Sequence, residues 1–211
     1  TDIVLSTRAL AAEPFDIVVI YGRRNDSNNN TVSADIDMST FTTGVLGYKI
    51  VTAGSVIVLA SGFPIARIGD FNGDGVDDFA LGQVGFTYQS RTNCGAAFVL
   101  FGNSTRPTAD VRVSALGAGG ILTIVGEAVG DNFGNVAEGG DLNGDGVKDL
   151  LVAAQKADSN GNLDCGTVYV VFGGSKFKYM TFLDMTALIS GVDGFRINGA
   201  KPADGIGAGQ V

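Results

Sequence analysis

Oxygen donors are concentrated in two short stretches of this 211-residue chain: GDFNGDGVDDFALG, from Gly69 to Gly82, and GDLNGDGVKDLLVA, from Gly140 to Ala153. Both follow the spacing D-x-N-x-D-G-x-x-D. Side chains at positions 1, 3, 5 and 9, with the backbone carbonyl at position 7, can bring hard oxygens to one cation, and glycine at position 6 permits the sharp turn. Calcium suits such a cage best; magnesium demands tighter octahedral geometry, keeps its waters and ranks second. The first loop would use Asp70, Asn72, Asp74, Asp78 and the Val76 carbonyl, and the second Asp141, Asn143, Asp145, Asp149 and the Val147 carbonyl. Two Ca2+ sites are therefore expected. The bland reading is an Asn-Gly-Asp-Gly surface turn that binds nothing, but it leaves clustered carboxylates to repel one another. Catalysis is not indicated. The chain has no histidine, which removes serine-histidine triads, cysteine-histidine pairs and most zinc sites. No nucleophile motif accompanies the loops, so the expected metal is structural and the chain is not read as an enzyme.

The elements that carry these loops read as short strands. DFALGQV, AAFVLFG, DLLVAA and TVYVVFG are rich in Val, Phe, Leu and Tyr and bounded by Gly, Asn and Asp. Further strands are expected from LTIVGE, FRINGA and the FGNVAEG segment before an acidic loop. Only TFLDMTALISG, with its weaker counterparts DIDMSTFTTG and DVRVSALGAG, reads as a helical turn in a connection. The segments repeat. Asp70 falls on Asp141 at an offset of 71, and at that offset Cys94 falls on Cys165, Phe101-Gly102 on Phe172-Gly173 and Ser104 on Ser175. The N-terminal segments fit the same frame, TDIVLST on KDLLVAA and FDIVVIYG on GTVYVVFG, while GFRINGAKPADGIGAGQV resembles the run-up to the second acidic loop. Three units result, approximately 1–69, 70–140 and 141–211, with one acidic loop missing where the termini would meet. The fold class expected is all-β, with about four antiparallel strands per unit arranged as propeller blades.

An EF-hand opens with a similar loop but places a bidentate Glu at position 12 between two helices. Here position 12 is Leu81 or Val152, inside apparent strands, so the loop is a β-hairpin site. FGNVAEGGDLNGDGVKDLLVAA resembles the FG-GAP repeat of integrin alpha subunits. Phe133 and Gly134 match its first half; EGGD and RIGD are degenerate versions of its second, and DGIGAGQV places Ile206 where the repeat has Phe. The resemblance covers nearly the whole chain and implies a β-propeller in which calcium ties down the hairpin between the first two strands of a blade. It says little of function, since the repeat also occurs in lectin-like and phospholipase-associated proteins.

Composition narrows the partners. A formal charge of -8 argues against nucleic acid, and no apolar run approaches the roughly 20 residues of a membrane span. No signal peptide stands at Thr1, so an export signal is expected to have been removed. N-x-S/T sequons at Asn25, Asn29 and Asn103, with calcium sites that fill at extracellular concentrations, favour a secreted or cell-surface glycoprotein. Cys94 and Cys165 occupy equivalent repeat positions and read either as buried small hydrophobes or as partners in a disulfide, an intermolecular one being the sharper alternative. Three units fall short of the roughly four to eight blades at which propellers close, which implies self-association or a longer polypeptide. The leading function is a calcium-binding structural or adhesive module of a larger surface assembly or filament. The alternatives are a carbohydrate-binding, lectin-like propeller, disfavoured by the absence of Trp, and an accessory domain of a secreted hydrolase.

Overall fold

A computed structural model of the chain describes residues 3–6, 16–20, 47–51, 64–105, 108–112 and 121–208. In chain order the strands are β1 (Ile3–Ser6), β2 (Asp16–Ile20), β3 (Gly47–Val51), β4 (Ile65–Gly69), β5 (Asp78–Gln83), β6 (Ala96–Leu100), β7 (Val111–Arg112), β8 (Ile121–Val125), β9 (Phe133–Gly140), β10 (Asp149–Ala154), β11 (Thr167–Val171), β12 (Phe182–Asp184) and β13 (Gly194–Asn198). Apart from single 3-10 turns at Ser175–Lys178 and Met185–Ala187, regular structure among the described residues is strand, as expected from the sequence. The strands form three sheets, ordered β1-β2-β3-β7, β12-β8-β6-β5-β4 and β13-β11-β10-β9. The chain divides into two compact units, one of 1–61 with 103–115 and one of 62–102 with 116–211.

The first unit holds the first sheet. β1, β2 and β3 run antiparallel as a meander, and β7 adds to β3 in parallel, with Val111 opposite Ile50. Val18, Ile20 and Ile50 are buried.

The second unit holds the other two sheets and one continuous core that includes Ile68, Phe71, Leu122, Phe133, Leu150 and Phe177. β6, β8 and β11 are buried along their whole length, which is why AAFVL, ILTIV and TVYVV are largely apolar, with Thr123 and Thr167 buried among them, rather than alternating. The sheets meet where β5 and β9 cross at glycine. A methyl group on Gly82 would collide with the Gly134 carbonyl, so the Gly of the Phe133-Gly134 pair marks a close backbone approach. Phe133 itself is fully buried and meets Tyr169 edge to face at 5.4 Å.

The connection expected to hold a helical turn holds one, with a short strand before it. TFLDMTALISG forms β12, parallel to β8, followed by a three-residue 3-10 turn. Its counterpart DVRVSALGAG contributes β7, also a parallel edge strand, and DIDMSTFTTG lies outside the described residues. Three residues are too few for helical periodicity to distinguish from an edge strand, and pairing with β8 decides the matter. The tail repeats the run-up to an acidic loop: the Ile206 amide donates to the Cys165 carbonyl at 3.0 Å, as the Phe133 amide does to the Cys94 carbonyl at 3.0 Å.

Candidate functional site

Each acidic loop is the turn of an antiparallel hairpin, β4 to β5 in one sheet and β9 to β10 in the other, with a register shift at its base. Four amide bonds recur in both turns, and the second adds one from the Gly144 amide to Asp141 at 2.8 Å. In the first, the Asp74 and Gly75 amides donate to the two oxygens of Asp70 at 2.9 and 2.8 Å, and the Asp74 amide also donates to Asn72 Oδ1 at 2.9 Å. The Val76 amide donates to Asp74 Oδ1 at 2.8 Å. In the second, the Asp145 and Gly146 amides donate to Asp141 at 3.0 and 2.9 Å, the Asp145 amide to Asn143 Oδ1 at 3.0 Å, and the Val147 amide to Asp145 Oδ1 at 2.9 Å. The glycines inside both turns have positive φ, 71° and 88° at Gly73 and Gly75, 77° and 88° at Gly144 and Gly146. A side chain would be strained there.

The aspartate at position 9 has a different place. Asp78 and Asp149 are buried beneath the turn, where each ties it to the chain two residues past β6 or β11. Asp78 accepts the amides of Phe71, Asn72 and Gly102 at 2.9, 3.2 and 2.8 Å; Asp149 accepts those of Leu142 and Gly173 at 2.7 and 3.0 Å. Spacing alone marks these residues as cation ligands and does not reveal that they latch backbone amides. Burial pushes the Asp78 carboxyl up to about 7, against the pull of its three amide donors.

Among the described residues no three carboxylates converge on one point. The donor chemistry nevertheless fits a hard cation: each turn presents two carboxylates and one amide oxygen, and an oxygen that accepts one amide keeps a lone pair. The surroundings of the two turns differ. Asn72 is buried, and Phe71 is fully buried against Phe177 at 4.6 Å, with its carbonyl accepting the Gly174 amide at 2.8 Å. The equivalent Leu142 is 52% exposed, and the second turn stands open from Asp141 to Gly146.

The remaining sequence candidates fall as follows. Cys94 and Cys165 are both free and fully buried, each Sγ donating to a carbonyl eight residues earlier, Phe86 at 3.6 Å and Ala157 at 3.5 Å. These thiols fill equivalent core positions. Asn103 is exposed, its side-chain oxygen accepting from the Thr105 amide and hydroxyl at 2.9 and 2.8 Å. Asn25 and Asn29 lie outside the described residues.

Carboxylates outside the loops are mostly paired. Glu127 accepts from Tyr169 at 3.1 Å and from Arg196 at 2.9 Å, while Asp184 on β12 pairs with Arg91. Asp131 is buried, and burial with the nearby charges of Asp158 and Glu127 pushes it up to about 6. No helix among the described residues is long and apolar enough to cross a membrane.

No protein-family profile matches the chain. Part of it is similar to phosphatidylinositol-glycan-specific phospholipase D. The Bos taurus protein is 34% identical over 118 residues, 53% of this chain and 14% of that protein. The Mus musculus protein is 32% identical over 130 residues, 58% of this chain and 15% of that protein. The chain thus spans about a seventh of the length of the curated relatives it matches.

Proposed function

We propose that this chain is a calcium-binding β-propeller module of the FG-GAP repeat kind, with a structural or adhesive role in an extracellular assembly. The observation that carries the reading is the duplication of one turn at equivalent places in two sheets, down to the same amide-to-carboxylate bonds. Asp70, Asn72 and Asp74 would hold one Ca2+ with the Val76 carbonyl, and Asp141, Asn143 and Asp145 a second with the Val147 carbonyl. Asp78 and Asp149 each serve one turn from beneath, fixing the hairpin to the chain that follows the next strand. Bound calcium supplies charge neutralisation and cross-linking of the turn, a contribution to folding rather than to chemistry. Exposed Asn103 is the described candidate for glycosylation, and the partners are other protein subunits.

Calcium titration by calorimetry tests this. Two sites are expected, with Asp74→Ala and Asp145→Ala each removing one and abolishing that site's share of the calcium-dependent rise in melting temperature. Wild-type protein that takes up no calcium at millimolar concentration would overturn the reading.

A second reading, a non-catalytic segment of a larger hydrolase, is favoured by the partial similarity to phosphatidylinositol-glycan-specific phospholipase D. It keeps the calcium sites and changes only what the module is joined to. Restored activity on adding this chain to a relative lacking the matching segment would decide for it.

A further inference from the structure

Asn-Gly pairs carry a chemistry that needs no partner but water. The glycine amide nitrogen, once it loses its proton, can attack the carboxamide carbon of the asparagine, and glycine gives the backbone the freedom to turn that way. The described residues hold four such pairs: Asn72-Gly73, Asn143-Gly144, Asn160-Gly161 and Asn198-Gly199. Their local sequence makes them alike. What separates them is whether the two reacting groups are free.

Three of the four are tied. Asn72 is 2% exposed, its Oδ1 accepts the Asp74 amide at 2.9 Å and its Nδ2 donates to Asp74 at 3.0 Å. Asn143 is exposed but held the same way: its Oδ1 accepts the Asp145 amide at 3.0 Å, its Nδ2 donates to Asp145 at 2.9 Å, and the Gly144 amide donates to the Asp141 carboxylate at 2.8 Å. A nitrogen bonded to a carboxylate gives up its proton reluctantly. Asn198 ends β13, where its Oδ1 accepts the Thr167 hydroxyl at 3.0 Å and the Gly199 amide donates to the Gly166 carbonyl at 2.9 Å.

Asn160-Gly161 is the exception. The pair lies in the connection from β10 to β11, both residues exposed, with φ of 52° and 81°. Ser159 and Asn162 close the turn by exchanging amide-to-carbonyl bonds at 3.2 and 2.9 Å, and beyond the neighbouring residues no atom lies within 4 Å of where a Gly161 side chain would stand. Among the described residues neither the Asn160 carboxamide nor the Gly161 amide has a hydrogen-bond partner. We propose that Asn160 is a site of spontaneous deamidation. Base takes the proton of the Gly161 amide, the nitrogen bonds to Cγ of Asn160, and the carboxamide C–N bond breaks, releasing ammonia that takes a proton from water. Water then opens the five-membered imide at either carbonyl, giving aspartate or isoaspartate, and no oxidant or reductant is needed. The product adds one negative charge to a chain at -8, in a loop that already exposes Asp158 and Asp164. The equivalent turn between β5 and β6 is spared. Gln89 falls on Asn160 at the offset of 71 and holds the same φ of 52°, in a turn closed by Tyr88 and Arg91 at 3.2 and 2.9 Å, and a glutamine would have to form a six-membered ring.

The test incubates the intact chain at mildly alkaline pH and digests samples with trypsin, which places the four asparagines in separate peptides, 68–91, 113–148, 157–176 and 197–211. Mass spectrometry reads the change from amide to acid, and fragmentation assigns it to a residue. Asn160 is expected to convert first, as an aspartate and isoaspartate pair. Asn143 should follow roughly ten- to a hundredfold more slowly, because the charge-assisted bond of the Gly144 amide has to break before its nitrogen reacts. In denaturant the four are expected to convert at similar rates. Asn160→Gln, which copies the residue held at position 89, should keep the far-ultraviolet spectrum and melting temperature and lose the early conversion. An Asn160 that stays an amide in the folded chain, or converts no faster than Asn143 or Asn198, overturns the proposal. A lead for Asn160 that persists undiminished in denaturant also overturns it, since the difference would then lie in the local sequence and not in the turn.

Discussion

A buried carboxylate crowded by other carboxylates answers to pH, and Asp131 is such a group. Its carboxyl lies near 6, raised mainly by burial and further by Asp158 and Glu127. The folded state therefore holds this proton more tightly than the unfolded chain, whose aspartate titrates near 3.9. Stability from this residue is full below about pH 4 and is lost as pH rises to about 6. Asp131→Asn should remove that slope and raise stability at pH 7 by on the order of 2 kcal/mol, as denaturant melts at pH 4.5 and 7 would show. The thiols give a second residue-scale prediction. Cys94→Ser buries a hydroxyl in place of a thiol and should cost roughly 1–2 kcal/mol, while electrophoretic mobility without reductant stays the same. Lost higher oligomers would contradict the buried, unbridged position of Cys94. The sequence identified the loop residues by type and spacing, but Asp78 and Asp149 look no different from ligands in a one-dimensional pattern. Their amide latches to Gly102 and Gly173 join residues 24 apart, a separation that only the closed sheet brings together.

At the scale of the element, hairpins and runs of buried strand were legible because their causes are local: largely apolar stretches, and glycines where the turn requires positive φ. β12 was not. Phe182–Asp184 is three residues long, carries too little pattern to reveal its type, and takes its conformation from β8. The crossing of β5 and β9 was equally hidden, since glycine in a strand can mark a bulge, a bend or a close contact. Gly82→Ala tests it directly. With the Gly134 carbonyl in the way, the substitution should destabilise by about 2 kcal/mol or more, read from denaturant melts. Gly85→Ala, which meets nothing within 4 Å, should change stability by less than about 0.5 kcal/mol and serves as the control.

At the scale of the molecule the repeat is the organising fact, and it was legible because equivalent residues recur at a fixed offset across the acidic loop, the cysteine and the Phe-Gly pair. What the offset could not show is that equivalent residues need not share an environment. Phe71 is sealed under Phe177 and the turn at Gly174, while Leu142 faces solvent. For two turns that share their amide-to-carboxylate bonds, that asymmetry becomes a difference in the cost of truncation. Phe71→Ala empties a sealed aromatic site and should destabilise by roughly 3–5 kcal/mol in denaturant melts, whereas Leu142→Ala, at a side chain 52% exposed, should cost less than about 1 kcal/mol.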